Sequence, residues 1–600
     1  MVYDKSVLET AAEITKGCQG GHNSFCDARC PMHTDPFAYV NLIGEGKLTE
    51  AILKIREKLF LPGTLGRVCS HPCEDACRRN TEYGQPISIA ALKRYAADHA
   101  DSEELWDISK KPASGKKVAV IGSGPAGAQA AVDLAKDGHG VTIFEKMDFV
   151  GGMLRYGIPE YRLPRAVIDL EYSYLKKLGV EFRMGCEVGK DVAFADLRKD
   201  FDAVLIAVGA QKGLVPTIPG GDLKGVIQAL DLLREVSIRK EYPLEPTGGQ
   251  TKRAAVIGGG NVAMDAARTI RRLGAEKVYI VYRRSREEMP ADDVEIHEAM
   301  EEGVEFMYLA APKAIEGSGK AERLVCERMK LGEPDASGRP SPVAVGEEFV
   351  LEIDNVVFAT GQATDAYFVG DTVKTGRAGR FQTDPDTLET SAQGIFAAGD
   401  CAGSTIAVEA MALGRKAAIS VSRFLAGQDL KAGRDFEKEY AFETKLDIPL
   451  PDDVQDVPRK HTGTLAPDER VKSFDEYNLG FDGVTATEES ARCLKCECKH
   501  CMTECIMLND FTAYPGALLK KFLEDGDMQP LIAYSCNMCD QCTLVCPKEY
   551  KFADLFGAMR KDMVKANGGE SPMPGHKAIK MHQLLGFSRL FAVKRKGAKV

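Results

Sequence analysis

The chain has 600 residues, 44% apolar and 28% charged, which is too long for one core and ordinary in composition for several folded domains. A net charge of −10 excludes a general nucleic-acid binder, whose phosphate-facing surface needs clustered Lys and Arg. No apolar run approaches about eighteen residues, so no membrane span is expected, and MVYDKSVLETAAEITKG lacks the apolar core of a secretion signal.

The expected location is therefore the cytoplasm. The 18 cysteines are unevenly placed: six fall between Cys18 and Cys77, nine between Cys493 and Cys546, and only Cys186, Cys326 and Cys401 lie between these groups. A secreted disulfide scaffold is small and evenly stapled. Two tight groups around a cysteine-poor middle point instead to metal sites at both ends.

The first group comprises Cys18, Cys26 and Cys30-Pro, then Cys69-Ser-His-Pro-Cys73-Glu-Asp-Ala-Cys77. Between them FAYVNLIGEGKLTEAILKIREK places Ala, Val, Leu and Ile on one helical face. A small helical domain with at least one metal cluster is predicted over 1–112.

Residues 117–121, Lys-Val-Ala-Val-Ile, read as a buried strand, followed by the turn Gly122-Ser-Gly124-Pro125-Ala126-Gly127, a small-residue helix and the strand VTIF ending at Glu145. Gly122 permits the tight turn, Gly124 lets backbone approach a pyrophosphate, and Gly127 lets helix and strand pack closely. The helix N-terminus offers free N–H groups to the anion, and Glu145, 23 residues after Gly122, can accept from ribose hydroxyls. Pro125, Ala126, Lys146 and Gly152 complete the candidate site.

The pattern recurs. Arg253-Ala-Ala-Val-Ile leads into Gly258, Gly260, Asn261, Val262 and Ala263, then AMDAARTIRRLGA and the strand KVYIVY. No acid closes this unit; Arg283 and Arg284 stand there, which suits the 2′-phosphate of NADP(H). Farther on, Gly394-Ile-Phe-Ala-Ala-Gly399-Asp400 delivers a glycine and an acid suited to the ribityl chain of FAD. VLIAVGA (204–210) and VVFATGQ (356–362) read as crossings between the two folds, so that one is inserted in the other. Hydride exchange between nicotinamide and flavin needs no protein acid or base. None of the three central cysteines has a partner at the spacing a disulfide reductase requires.

Residues 431–489, rich in Asp, Glu, Pro and Lys, read as a linker. Cys536-Asn-Met-Cys539-Asp-Gln-Cys542-Thr-Leu-Val-Cys546-Pro then has the bacterial ferredoxin spacing for [4Fe–4S] clusters. The preceding run has Cys493, Cys496, Cys498, Cys501 and Cys505; the last three fit the same template, but Lys495 occupies the first ligand position. Cys496 or Cys493 can substitute. Two runs imply two clusters, each taking the last cysteine of the other run. The lysine-rich tail, KAIKMHQLLGFSRLFAVKRKGAKV, is either a partner-docking segment or solvated.

From about Cys18 to Leu425 the chain resembles the small subunit of NADPH-dependent glutamate synthase, the large subunit of NADH-dependent ferredoxin:NADP oxidoreductase, and the N-terminal half of dihydropyrimidine dehydrogenase. GRVCSHPCEDACRR (66–79), GGMLRYGIPEYRLP (151–164), VYRRSREEMPA (281–291) and FAAGDCAG (396–403) carry the resemblance together with the glycine turns. It implies FAD in the first fold, NADP(H) in the second and [4Fe–4S] clusters in the helical domain. Three departures stand out. Gly21 replaces a family cysteine, and His22 beside it is either a replacement ligand or, the favoured reading, a surface histidine. Lys93 stands where the family uses an acid or amide ligand. The C-terminal cluster domain is an addition.

The predicted class is α/β: two Rossmann-like folds, one inserted in the other, with an N-terminal helical iron–sulfur domain and a C-terminal ferredoxin-like one. The expected domains are 1–112, a flavin fold over 113–249 and 353–430, an NADP(H) fold over 250–352, the linker, a two-cluster domain over 490–560, and a tail over 561–600. Three or four clusters are expected. The expected function is electron transfer between NADP(H), FAD and clusters, to or from ferredoxin or another redox subunit, in a complex that can be electron-bifurcating. The alternatives are a glutamate synthase small subunit and a non-catalytic relay.

Overall fold

The computed structural model describes residues 2–21, 23–239, 251–335, 338–404, 406–434, 450, 454, 457–496 and 498–586. These fall into two compact units. One comprises Cys26–Phe442 and Val457–Cys493, the other Met1–Phe25, Glu443–Asp456 and Leu494–Val600.

In the larger unit two parallel five-stranded sheets are nested in sequence. The first has the order Ile395–Ala397, Ala203–Ile206, Lys117–Ile121, Gly140–Phe144, Glu181–Arg183. Its inner stretches, Val118–Ile121 and Ala203–Ile206, are apolar and buried because helices cover both faces of such a sheet. The alanine-rich helix Pro125–Lys136 lies against the helix Ala407–Leu425. Gly414 permits that approach, since a Cβ there would come within 2.2 Å of the Ala126 carbonyl oxygen.

The second sheet has the order Val226–Gln228, Asn355–Phe358, Arg253–Ile257, Lys277–Tyr282, Val304–Tyr308. A three-stranded antiparallel sheet, Ala310–Glu316, Arg323–Pro334 and Pro340–Glu352, is inserted before Asn355. The nesting expected from the sequence is present, with different edges. Val226–Gln228 and Asn355–Phe358 pair within the second sheet, so the second fold runs past both ends of 250–352. The stretches 204–210 and 356–362 are not bare crossings, for each begins with a central strand of its own sheet. Ahead of these folds, the helices Pro36–Gly44, Leu48–Arg56, Pro62–Val68 and Ile89–Ala100 pack around Val40, Ile52, Ile55, Leu65 and Leu92.

Much of the segment read as a linker is instead built into this unit. Residues 435–449 lie outside the description, but 457–489 carry Tyr477 and Phe481 in buried positions and a short strand pair. Two of their charged residues, Arg470 and Glu489, are buried. Glu489 accepts from the backbone N–H groups of Ser88 and Lys460, and Arg492 donates to Glu489. A polar composition marks a linker only when the charges find no buried partner.

In the smaller unit the first helix, Lys5–Gly17, buries Val7, Ala11 and Ile14. They join a core with Leu518, Leu519 and Phe522 of the helix Pro515–Asp525 and Leu555, Phe556 and Met559 of the helix Phe552–Ala566. Tyr3 stacks edge-on to Phe522 with centroids 4.9 Å apart, and its hydroxyl donates to Asp527 at 3.0 Å. The first 25 residues therefore leave the expected 1–112 domain, because their apolar stripe is matched near the other end of the sequence. The helix Pro574–Gly586 buries nothing among the described residues; the rest of the tail, 587–600, and His22 lie outside them. Among the described residues no helix is long and apolar enough to cross a membrane.

Candidate active site and iron–sulfur ligands

The carboxyl ends of the first sheet open on a cavity of about 550 Å³. Gly122, Gly124, Pro125, Ala126, Glu145, Lys146, Gly152, Gly399 and Asp400 all border it. The three glycines of the turn differ in what they permit. Gly122 sits at φ +103°, and a Cβ there would meet the Ala207 carbonyl oxygen at 2.5 Å. A Cβ on Gly127 would lie 2.1 Å from the Gly122 oxygen, so this residue serves helix–strand packing one layer behind the cavity. Around Gly124 nothing lies within 4 Å, which leaves the helix N-terminus open to an anion.

Glu145 is buried at the end of its strand. It accepts from Ser123 N at 2.9 Å, Ser123 Oγ at 2.6 Å and Met147 N at 2.9 Å. Those bonds fix the carboxylate at the cavity wall. Asp400 accepts from Ser404 Oγ at 2.9 Å, and burial pushes its carboxyl above the ordinary aspartate value.

Asn261 and Val262, which open the helix of the second glycine turn, border the same cavity. Gly258, at φ +147°, approaches the Ala359 oxygen as Gly122 approaches that of Ala207, and Gly260 caps the helix with only Pro290 near its missing side chain. The two arginines part company. Arg283 is exposed, and among the described residues it makes no ion pair. Arg284 is 3% exposed and already committed, to Asp335 Oδ2 at 2.6 Å and the Pro340 carbonyl at 2.7 Å. Of the two arginines expected at a 2′-phosphate, Arg284 is thus held by the antiparallel insertion.

One cavity residue has no local signature of its role. Arg162 of GGMLRYGIPEYRLP donates to Asp265 Oδ1 at 2.7 Å and to Glu295, tying the first fold to helices of the second. The signal would have been a cation beside the flavin turn facing two acids 103 and 133 residues later, which no local pattern reveals.

The same cavity reaches Cys69, which ends the helix Pro62–Val68. Cys26, Cys30, Cys69 and Cys73 surround the buried Tyr39 closely enough to act on its hydroxyl electrostatically. Burial pushes the Cys69 and Cys73 thiols up, and Lys93, 5% exposed, opposes that shift at both. Cys77 acts on Arg492, and Cys493 Sγ lies 3.8 Å from Asn41 Nδ2. Cys493 thus belongs with the helical domain rather than with the C-terminal run, because the helix Gly483–Ala491 delivers it there.

In the smaller unit Cys18, Cys498, Cys501 and Cys546 line one small cavity. Burial pushes the Cys501 thiol up to about 12, with Cys18, Cys498, Cys546 and Cys542 adding to the shift. Cys542 rises to about 11 by burial, then through Cys505 and Cys536. Cys539 is exposed, and Cys496 belongs to this unit. None of the 18 cysteines is in a disulfide. Among the described residues no three Cys, His, Asp or Glu side chains converge on a single metal ion. The all-sulfur donor sets fit iron–sulfur clusters, whose thiolates stand around a group of atoms rather than one ion.

Residues 116–417 match the family described as pyridine nucleotide-disulphide oxidoreductase. Residues 1–105 and 470–554 match the dihydropyrimidine dehydrogenase domain II, 4Fe–4S cluster family. The chain is 40% identical over 506 residues to the NADP(+)-dependent formate dehydrogenase subunit beta of Moorella thermoacetica, covering 78% of this chain and 70% of that one. It is 36% identical over 513 residues to the NADPH-Fe(3+) oxidoreductase subunit beta of Geobacter sulfurreducens, covering 78% and 75%. With the glutamate synthase [NADPH] small chain of Escherichia coli it shares 35% identity over 426 residues, 68% of this chain and 90% of that one. Two nested nucleotide folds and cysteine groups that both match a 4Fe–4S family make the cofactors FAD, NADP(H) and [4Fe–4S] clusters, and the chain belongs to the pyridine nucleotide-disulphide oxidoreductase family as an NADPH-dependent flavin and iron–sulfur oxidoreductase of the glutamate synthase small-chain type.

Proposed function

We propose that the chain carries electrons between NADP(H) and a protein partner, through flavin and then iron–sulfur clusters. The observation that carries this reading is the single cavity bordered by the Gly122–Ala126 turn, by Asn261 and Val262, and by Cys69. Bound FAD supplies the exchange between two-electron hydride chemistry and one-electron transfer.

The residues divide the remaining work. Gly124 and the helix N-terminus behind it receive the pyrophosphate, Glu145 the ribose, and Gly399 with Asp400 the ribityl chain. Gly258, Gly260, Asn261 and Val262 receive the second nucleotide, and Arg283 its 2′-phosphate. Arg162 holds the two folds in one arrangement through Asp265 and Glu295. Cys69, at the cavity wall, would hold a helical-domain cluster beside the flavin site and so serve as the exit for its electrons. The C-terminal thiols hold the clusters that meet the partner, which is ferredoxin or another redox subunit of a complex. Three or four clusters follow from the thiol groups, and bifurcation at the flavin is consistent with more than one cluster route. Eighteen cysteines with no disulfide among them suit a reducing compartment such as the cytoplasm.

The test is anaerobic reduction by NADPH of a Cys69→Ser variant. Flavin bleaching and dye reduction should persist while the clusters stay oxidised by electron paramagnetic resonance. Normal cluster reduction in that variant rejects Cys69 as the exit. The E. coli relative's match over 90% of its length favours a second reading, a glutamate synthase small subunit. Co-purification with a glutamate-forming subunit would select it.

A further inference from the structure

The C-terminal domain has a counting problem that the sequence alone leaves open. In two-cluster ferredoxins each run contributes three thiolates to one cluster and its last cysteine to the other. Cys536, Cys539 and Cys542 with Cys505 make one complete set. The other set has Cys498, Cys501 and Cys546, and Lys495 stands where its fourth thiolate is due.

The structure supplies a fourth sulfur from the opposite end of the sequence. Cys18 follows directly on the helix Lys5–Gly17 and lines the same small cavity as Cys498, Cys501 and Cys546. Three glycines make the approach. A Cβ on Gly516 would lie 2.9 Å from Cys18 Cβ and 3.3 Å from its sulfur. A Cβ on Gly20 would lie 2.6 Å from Tyr514 Cβ and 3.3 Å from the Cys498 carbonyl oxygen. A Cβ on Gly17 would overlap the Tyr550 hydroxyl at 1.8 Å. The helix itself is anchored, with Val7, Ala11 and Ile14 in the core and Asp4 N donating to Asp562 Oδ2 at 2.8 Å. Cys18 therefore sits at a fixed place and is not a thiol on a loose terminus.

We propose that Cys18 is the fourth ligand of a [4Fe–4S] cluster held with Cys498, Cys501 and Cys546. The assignment rests on the ferredoxin reading of the C-terminal domain and goes further in closing one of its clusters with the N-terminal helix. It also removes Cys18 from the helical-domain group, leaving Cys26, Cys30, Cys69, Cys73, Cys77 and Cys493 in the larger unit.

The test compares iron and acid-labile sulfide in full-length protein across a set of variants. Cys18→Ser alone should lose roughly one cluster, about four irons per chain or one if a three-iron species survives. In a Cys498→Ser, Cys501→Ser background the same change should remove nothing more. In a Cys69→Ser, Cys73→Ser background it should remove the same amount again. Cys18→Asp, which keeps an oxygen ligand, guards against simple misfolding. It should retain full iron and shift one paramagnetic signal that the Cys498→Ser, Cys501→Ser pair abolishes. The reverse pattern, additive with Cys498 and Cys501 but silent with Cys69 and Cys73, overturns the assignment. So does a Cys18→Ser protein with unchanged iron and spectra. Zinc in place of iron and sulfide would overturn the ferredoxin reading itself, a different failure.

Discussion

Arg470 Nε donates to Glu302 Oε1 at 2.8 Å across 168 residues of sequence. Glu302 also receives Arg268 and Arg272, at 2.7 Å each, and all four side chains are buried. One carboxylate thus balances three guanidinium groups, with Glu298 and Glu301 sharing the load. The second nucleotide fold and the segment after the flavin fold are fastened together here.

Glu302→Gln should therefore destabilise the second fold by about 3–5 kcal/mol, the cost of stranding buried charge. Burial alone would raise this carboxyl, but hydrogen bonds from Arg272 and Arg268, and their charges, hold it at about 2. A depressed carboxyl stabilises the fold above its ordinary value near 4.5 and loses that contribution as pH falls toward 2. Thermal melts from pH 7 to pH 3 should show the wild type losing more than the variant.

Arg283→Ala should lower the preference for NADPH over NADH by roughly tenfold to a hundredfold, the worth of one or two charge-assisted hydrogen bonds. Arg284→Ala should leave the preference alone, because its guanidinium is held by Asp335 and Pro340. The kcat/KM ratio for the two nucleotides decides. A larger shift from Arg284 than from Arg283 would refute this division.

Gly124→Ala and Gly127→Ala should fail differently. The first has room for its methyl in the protein alone and should fold, yet bind FAD poorly because the methyl stands where the phosphate approaches. The second drives a methyl to 2.1 Å from the Gly122 oxygen and should cost about 1–3 kcal/mol or more in stability. Flavin content and melting temperature, measured together, separate the two.

A chain cut back to 1–493 should aggregate, since it keeps the Val7, Ala11, Ile14 stripe without the C-terminal helices that cover it. The 26–493 chain lacks that stripe and should remain monomeric with NADPH-dependent dye reduction. Light scattering and dye rates provide the comparison. Equal behaviour of the two chains would contradict the packing of the first helix.

What the sequence makes legible is local. Strand, glycine turn, helix and closing residue lie within some thirty residues, so spacing alone locates Gly122 to Glu145 and Gly258 to Tyr282. Pairings across fifty to several hundred residues leave no such trace. Arg284 looks like an available cation until Asp335 is seen beside it, and 457–489 looks like a linker until Arg470 and Glu489 are found buried. Sequence neighbours point Cys18 to the helical domain and Cys493 to the C-terminal run, yet each packs with the opposite group.

The placement of the first helix has a consequence for synthesis. Lys5–Gly17 leaves the ribosome first, while Leu518, Phe522 and Phe556 emerge more than 500 residues later. At about 5–20 residues per second, that is a delay of roughly half a minute to two minutes. Throughout it an apolar stripe must stay shielded from neighbouring nascent chains, and the cavity at Cys18 has only one of its four thiols. Both nucleotide folds can close during that interval, so flavin loading can precede the last iron. The thiol made first is among the last to find its neighbours, and a prematurely terminated chain never completes that cavity.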